Sequence, residues 1–315
     1  MREFETDLLF RPESDELRFL PEGPYPCGQN RFSWVAIQHG ADSQVGSLNI
    51  FDIASRTNTT YELEGRPGFC FSTNVDDTFL VGIERRLWLY NTATRNCNAV
   101  TKEIDVGVEN TIINDGVAFD GGVVFGSKEL TFSKPIAGLY LWRSADKTLI
   151  RLRDDQICSN GKVVLTKDGG VTLLDIDSPT KKVVRYCLDV AEGRLSEPET
   201  ILDLTANDDF PDGMIATPDG NSVIIAFYNP NDIECGAARQ YGIASGQLEA
   251  VWKTPGSPQV TCPQLLDIDG KIKLVLTTAV EHMTSERQAR HPNAGCFFIA
   301  ETEFTSLPDQ PVFRV

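Results

Sequence analysis

An all-β fold, a six-bladed β-propeller of four-stranded antiparallel blades, is predicted by three observations. Apolar and polar residues alternate in short runs that end at Gly, Asp or Asn. No long stretch carries helical periodicity. One strand–turn–strand unit recurs six times, beginning at Glu22, Cys70, Asn114, Asn160, Asp212 and Cys262, at spacings of 44 to 52 residues. Four antiparallel strands at that period make a propeller blade, and six blades account for all 315 residues as one domain, 1–315. Two β-sandwiches would not repeat a single register six times.

Taken in order, the first unit is the loosest, from Glu22-Gly23-Pro24 to Trp34-Val35-Ala36. The second runs from Cys70 to Val81 and the third from Asn114 to Phe125. The fourth runs from Asn160 to Leu173, the fifth from Asp212 to Ala226 and the sixth from Cys262 to Leu274. A third strand follows each hairpin, at Leu48–Asp52, Leu87–Asn91, Leu139–Arg143, Val183–Leu188, Arg239–Ile243 and Cys296–Ala300. Fourth strands fit Thr59–Leu63, Cys97–Val100, Leu149–Leu152, Thr200–Asp203 and Leu248–Trp252. The last blade needs a strand from a terminus. Asp7–Phe10 and Pro311–Arg314 both qualify.

Composition narrows the class. Hydrophobic content of 41% and charged content of 23% belong to a soluble globular protein. A net charge of −16 and a pI near 4.6 argue against nucleic acid or an anionic membrane as partner. The eight cysteines are scattered and form no Cys-x-x-Cys pair, so reduced thiols in a cytoplasmic protein are expected. The first residues lack a signal-peptide pattern, and no apolar run has the length of a membrane span.

Pro-Asp-Gly occurs twice within one inner strand and its turn, at Pro211-Asp212-Gly213 and Pro218-Asp219-Gly220. The second copy separates two apolar runs and reads as a hairpin turn. The first follows a loop and brings a carboxylate to the start of a strand, where no turn needs one. Innermost strands line the channel of a propeller, so equivalent positions face a common axis. Of the six opening residues, Glu22, Asn114, Asn160 and Asp212 carry oxygen donors. Two carboxylates and two carboxamides facing one axis would be costly to desolvate without a partner. A bound cation resolves this. An all-oxygen set suits a hard ion, Ca²⁺ before Mg²⁺, because Ca²⁺ accepts a looser geometry. Turn formation alone explains Asp120-Gly121, Asp168-Gly169, Asp219-Gly220 and Asp269-Gly270, which lie at the other end of the strand.

These motifs carry a resemblance. Pro21-Glu22-Gly23-Pro24, Asn114-Asp115-Gly116 with Phe125-Gly126-Ser127, Ser159-Asn160-Gly161, Asp177-Ser178-Pro179-Thr180 and Phe210-Pro211-Asp212-Gly213-Met214 together resemble the senescence-marker-protein/gluconolactonase/luciferin-regenerating-enzyme family, which includes regucalcin. The resemblance implies a six-bladed propeller with one divalent cation on its axis, most readily Ca²⁺, with Mg²⁺, Zn²⁺ or Mn²⁺ as alternatives. It implies Glu22, Asn160 and Asp212 as metal ligands, Asn114 beside metal and substrate, and Glu129 against substrate hydroxyls. One position departs: Ile112 stands where many lactonases of the family carry an Arg that holds the sugar acid.

The chemistry expected is hydrolysis of a lactone, with Asp212 as general base on the attacking water and Asn114 orienting the ester. His39, His282 and His291 form no zinc-type pair, and His282 and His291 fall in a polar stretch, 281 to 292, that reads as a loop. Cys70 and Cys262 read as channel wall. No Gly-x-Ser-x-Gly elbow or phosphate loop is present. Two other classes compete: a non-enzymatic Ca²⁺-binding regulator or protein-binding propeller, and a metal-dependent esterase or phosphotriesterase.

Overall fold

The computed structural model describes residues 1–308 and 310–315. It is 56% strand and 4% helix, and its fold is the six-bladed β-propeller with four-stranded antiparallel blades. The chain divides into two compact units, Met1–Pro67 with Asn207–Asp309, and Gly68–Ala206 with Gln310–Val315.

The first unit holds blades one, five and six. Blade one is Pro21–Pro26, Arg31–Ala36, Gly46–Asp52 and Thr57–Leu63, paired in chain order. Blade five is Phe210–Ala216, Ser222–Tyr228, Cys235–Gly242 and Leu248–Pro255, with Arg2–Glu5 added in parallel to its outer strand. Blade six takes Val260–Ile268, Lys271–Thr278 and Phe297–Glu301 from the C-terminal part and Asp7–Phe10 from the N-terminus. The N-terminal strand therefore completes the last blade. Its Phe10 ring stacks on Phe51 at 3.9 Å and on Phe297 at 4.4 Å, which joins blade six to blade one through an aromatic core.

The second unit holds blades two, three and four. Blade two is Pro67–Ser72, Thr78–Ile83, Arg86–Asn91 and Cys97–Ala99. Blade three is Thr111–Phe119, Gly122–Glu129, Ala137–Arg143 and Thr148–Gln156. Blade four is Ser159–Lys167, Gly170–Asp177 and Lys182–Asp189, with Arg194–Leu195 and Glu199–Asp203 sharing its outer edge. The C-terminal segment closes nothing. Phe313 bridges Thr73 of blade two and packs on Trp142 at 5.1 Å.

The predicted turn at Asp219-Gly220 is present, with Gly220 at φ 66°. The stretch 281 to 292 differs from expectation. It folds into a short helix, Ser285–Arg290, because Thr284 caps it by accepting from Arg287 N. All eight cysteines are free thiols. No helix among the described residues is long and apolar enough to cross a membrane.

Candidate active site

Five of the inner strands share one irregularity. In blade one the pairing runs Glu22↔Val35 and then Tyr25↔Ser33, so the inner strand holds one extra residue. The same slip separates Ile113 from Gly116 in blade three, Asn160 from Lys162 in blade four, Pro211 from Met214 in blade five and Val260 from Pro263 in blade six. A one-residue bulge interrupts the ladder, bends the strand and re-aims the side chains beside it. Glu22, Asn114, Asn160 and Asp212 lie at or inside these bulges. The bulge in blade five explains the first Pro-Asp-Gly. A Cβ on Gly213 would come within 2.8 Å of Cys262 Sγ and Thr261 O, so only glycine lets this strand approach blade six.

In the first unit, Asp212 is buried and Glu22 half-buried, and Glu22 Oε2 accepts from Gly23 N at 3.1 Å. Sequence reasoning overlooked Tyr228, whose strand pairs with that of Asp212 through Phe210↔Tyr228. Its hydroxyl donates to Glu281 O at 2.8 Å and lies 3.2 Å from His282 Nδ1. Burial, then the charges of Glu281 and Asp212, push its phenol well above the usual range.

In the second unit, Asn114, Asn160 and Cys158 cluster. Asn114 Nδ2 donates to Ser159 O at 2.9 Å and Asn160 Nδ2 donates to Ser178 Oγ at 3.0 Å. Both amide nitrogens also lie against Cys158 Sγ, at 3.8 and 3.7 Å. The donor ends of both carboxamides are thus committed, while neither Oδ1 accepts a hydrogen bond among the described residues. Those oxygens are the atoms a hard cation or a polar substrate would use, and the donor set fits such an ion. No group of three or more His, Cys, Asp or Glu side chains able to hold a metal occurs among the described residues. The expected donors differ in kind. They are two carboxylates in the first unit and carboxamides in the second.

Ile112 is buried and apolar, and it pairs with Lys128 across blade three. Glu129 is buried, and its carboxylate accepts from Thr131 N, Thr131 Oγ1, Ser133 N and Ser133 Oγ. Burial opposes its ionisation. The bonds from Ser133 and Thr131 outweigh that and hold it below the usual range.

The sequence pattern of the SMP-30/Gluconolactonase/LRE-like family matches residues 20–280. "Putative sugar lactone lactonase YvrE" of Bacillus subtilis (strain 168) is 26% identical over 295 residues, covering 92% of this chain and 94% of the relative. An L-arabinolactonase of Azospirillum brasilense is 27% identical over 244 residues, 76% of this chain and 75% of the relative. The crystal structure of a calcium-binding protein, regucalcin, from Agrobacterium tumefaciens str. C58 superposes with a TM-score of 0.82 at 21% identity and 100% coverage of both chains. With a matching pattern over most of its length and the six-bladed fold in common, this chain belongs to the SMP-30/gluconolactonase/LRE-like family.

Proposed function

We propose that this protein is a divalent-cation-dependent hydrolase that opens a lactone, with residues 1–315 acting as one propeller domain. The observation that carries the reading is the recurrent bulge, at or inside which blades one, three, four and five each carry an oxygen-bearing side chain. The lactonase names of two relatives, one matched over nearly its full length, supply the substrate class.

Glu22, Asn160 and Asp212 would hold the cation, Ca²⁺ by the chemistry of the donor set. When bound, it supplies Lewis-acid polarisation of the ring carbonyl. Asp212 takes a proton from water as the water oxygen bonds to the carbonyl carbon. The ring C–O bond then breaks, the departing alkoxide receives that proton, and a hydroxy acid results. Asn114 orients the substrate by accepting from one of its hydroxyl groups at Oδ1, and Glu129 fixes the loop beside the substrate. Ile112 gives the site an apolar wall.

The test is a titration of the purified protein with Ca²⁺, Mg²⁺, Mn²⁺ and Zn²⁺, followed by a lactone panel read by acid release. One tight site and metal-dependent ring opening are expected, both lost in Asp212→Ala. Absence of any divalent site, or metal binding with no lactone opened, would overturn the reading.

A further inference from the structure

The first hairpins of blades one and six border a cavity of about 300 Å³, at the small end of the range for small-molecule sites, ~300–1,000 Å³. It lies wholly within the first unit. The inner strand Pro21–Pro26 carries Glu22 near its start and this cavity at its end, so the cavity stands apart from the candidate active site. Arg31, Asp267 and Asp269 supply its charged lining, and Ile53, Leu266 and Leu307 its apolar lining. Leu266 and Ile53 belong to the aromatic core that joins blade six to blade one, which makes the apolar wall a fixed one.

The rim is built by hydrogen bonds. Asn30 and Asp269 each adopt φ 53°, a left-handed conformation that Asn and Asp tolerate. Asn30 Nδ2 donates to Asp269 Oδ1 at 2.9 Å, and Ile53 N donates to Asn30 O at 2.9 Å. Gly270 N donates to Asp267 Oδ1 at 2.8 Å. The two turns are thereby tied to each other and to Ile53. Asn30 also lines the cavity, and its Oδ1 is buried and accepts no hydrogen bond.

The charges around this cavity are held apart. Arg31 meets a carboxylate only loosely, with Nε 4.0 Å from Asp52 Oδ2, and Asp52 is not part of the lining. Among the described residues, neither Asp267 nor Asp269 forms an ion pair with Arg31. Their Oδ1 atoms accept from Gly270 N and Asn30 Nδ2 instead. A cation and two carboxylates that border one cavity without closing on each other, beside an apolar wall, are the complement of a small zwitterion.

We propose that this cavity binds a free α-amino acid with a branched apolar side chain. The Arg31 guanidinium takes the carboxylate of the amino acid, a pairing that its planar fork of donors favours. The oxygens of Asn30, Asp267 and Asp269 take the ammonium, and Ile53, Leu266 and Leu307 receive the side chain. The site uses none of Glu22, Asn114, Asn160 or Asp212, so it stands or falls separately from the lactonase reading.

The experiment is calorimetric titration of the full-length protein with L-leucine, with isoamylamine, which lacks the carboxylate, and with isocaproate, which lacks the ammonium. One leucine site is expected, with both analogues at least about tenfold weaker. Arg31→Gln and Asp267→Asn should each weaken leucine roughly ten- to a hundredfold, the size of a hydrogen bond to a charged group. Both positions are exposed, so the thermal midpoint and Ca²⁺ binding should stay at the wild-type level. No saturable leucine binding up to ~10 mM, or equal leucine affinity in wild type and both variants, overturns the proposal. So does either analogue binding as tightly as leucine, which marks a site for one charge alone. Leucine binding that depends on Arg31 and Asp267 in a protein that opens no lactone supports the amino-acid site and removes only the hydrolase reading. Lactone hydrolysis without leucine binding does the reverse.

Discussion

Lys162 and Asp175 face each other across the first hairpin of blade four, 3.4 Å apart, with side chains 0% and 3% exposed. Lys162 also donates to Asn160 O at 2.7 Å, so the pair ties the bulge to the blade. Removing one partner of such a pair leaves a buried charge uncompensated, at a cost of about 3–5 kcal/mol. Lys162→Met should lose that much in urea denaturation. The double variant Lys162→Met/Asp175→Leu should recover most of it, since two apolar side chains leave no charge behind. Additive losses would show that the two groups are not coupled.

The same pair sets a pH dependence. Burial pushes the Asp175 carboxyl up to about 6, with the Lys162 ammonium and the bond from Gln156 opposing. Asp115 and Asp177 are raised by burial too. A raised carboxyl means that the native state keeps a proton the unfolded chain releases near pH ~4. The stability from Asp175 is therefore full below that pH and is lost as pH rises toward 6. Exposed carboxylates held low, such as Asp146 and Asp203, act in the opposite direction. The measurement is consequently the difference between wild type and the double variant across pH 4 to 7. It should slope downward with pH, and a flat difference would contradict the raised carboxyl.

Blade count and strand order are legible in the sequence because alternation and turn residues are local properties. Closure is not. Asp7–Phe10 and Pro311–Arg314 are equally short and apolar, and the decision falls to the slot between Phe51 and Phe297 that accepts Phe10. The oxygen-bearing positions are legible from repeat register. The bulges beside them are hidden, because one extra residue changes pairing without erasing the alternation; Gly23, Gly161 and Gly213 are their faint signal. Lys162 is invisible for another reason. A lysine in a β-run reads as solvent-facing, and only the packed neighbours reveal that it is buried.

If Phe10 closes the last blade, shortening it should act like a core deletion. Its ring is 8% exposed and lies between two aromatic rings. Phe10→Ala should destabilise by about 3–5 kcal/mol by chemical denaturation. A loss below ~1 kcal/mol would mean that Asp7–Phe10 merely lies along the edge of Phe297–Glu301.

Ser178 offers a test of the ligand set that leaves every proposed ligand in place. Asp177 accepts from Ile157 N and from Cys158 N, and Ser178 N donates to Cys158 O at 3.0 Å. The Asp177-Ser178-Pro179-Thr180 turn therefore laces the entrance of the inner strand of blade four. Ser178 Oγ then accepts from Asn160 Nδ2 and so fixes which way the carboxamide lies. Partners that orient a metal ligand commonly carry ten- to a hundredfold of affinity. Ser178→Ala should weaken Ca²⁺ binding by about tenfold while the circular dichroism and thermal midpoint stay near wild type, and Ser178→Thr should retain binding. Unchanged Ca²⁺ affinity in Ser178→Ala, alongside a loss in Asp212→Ala, would take Asn160 out of the ligand set and leave the ion to the carboxylates.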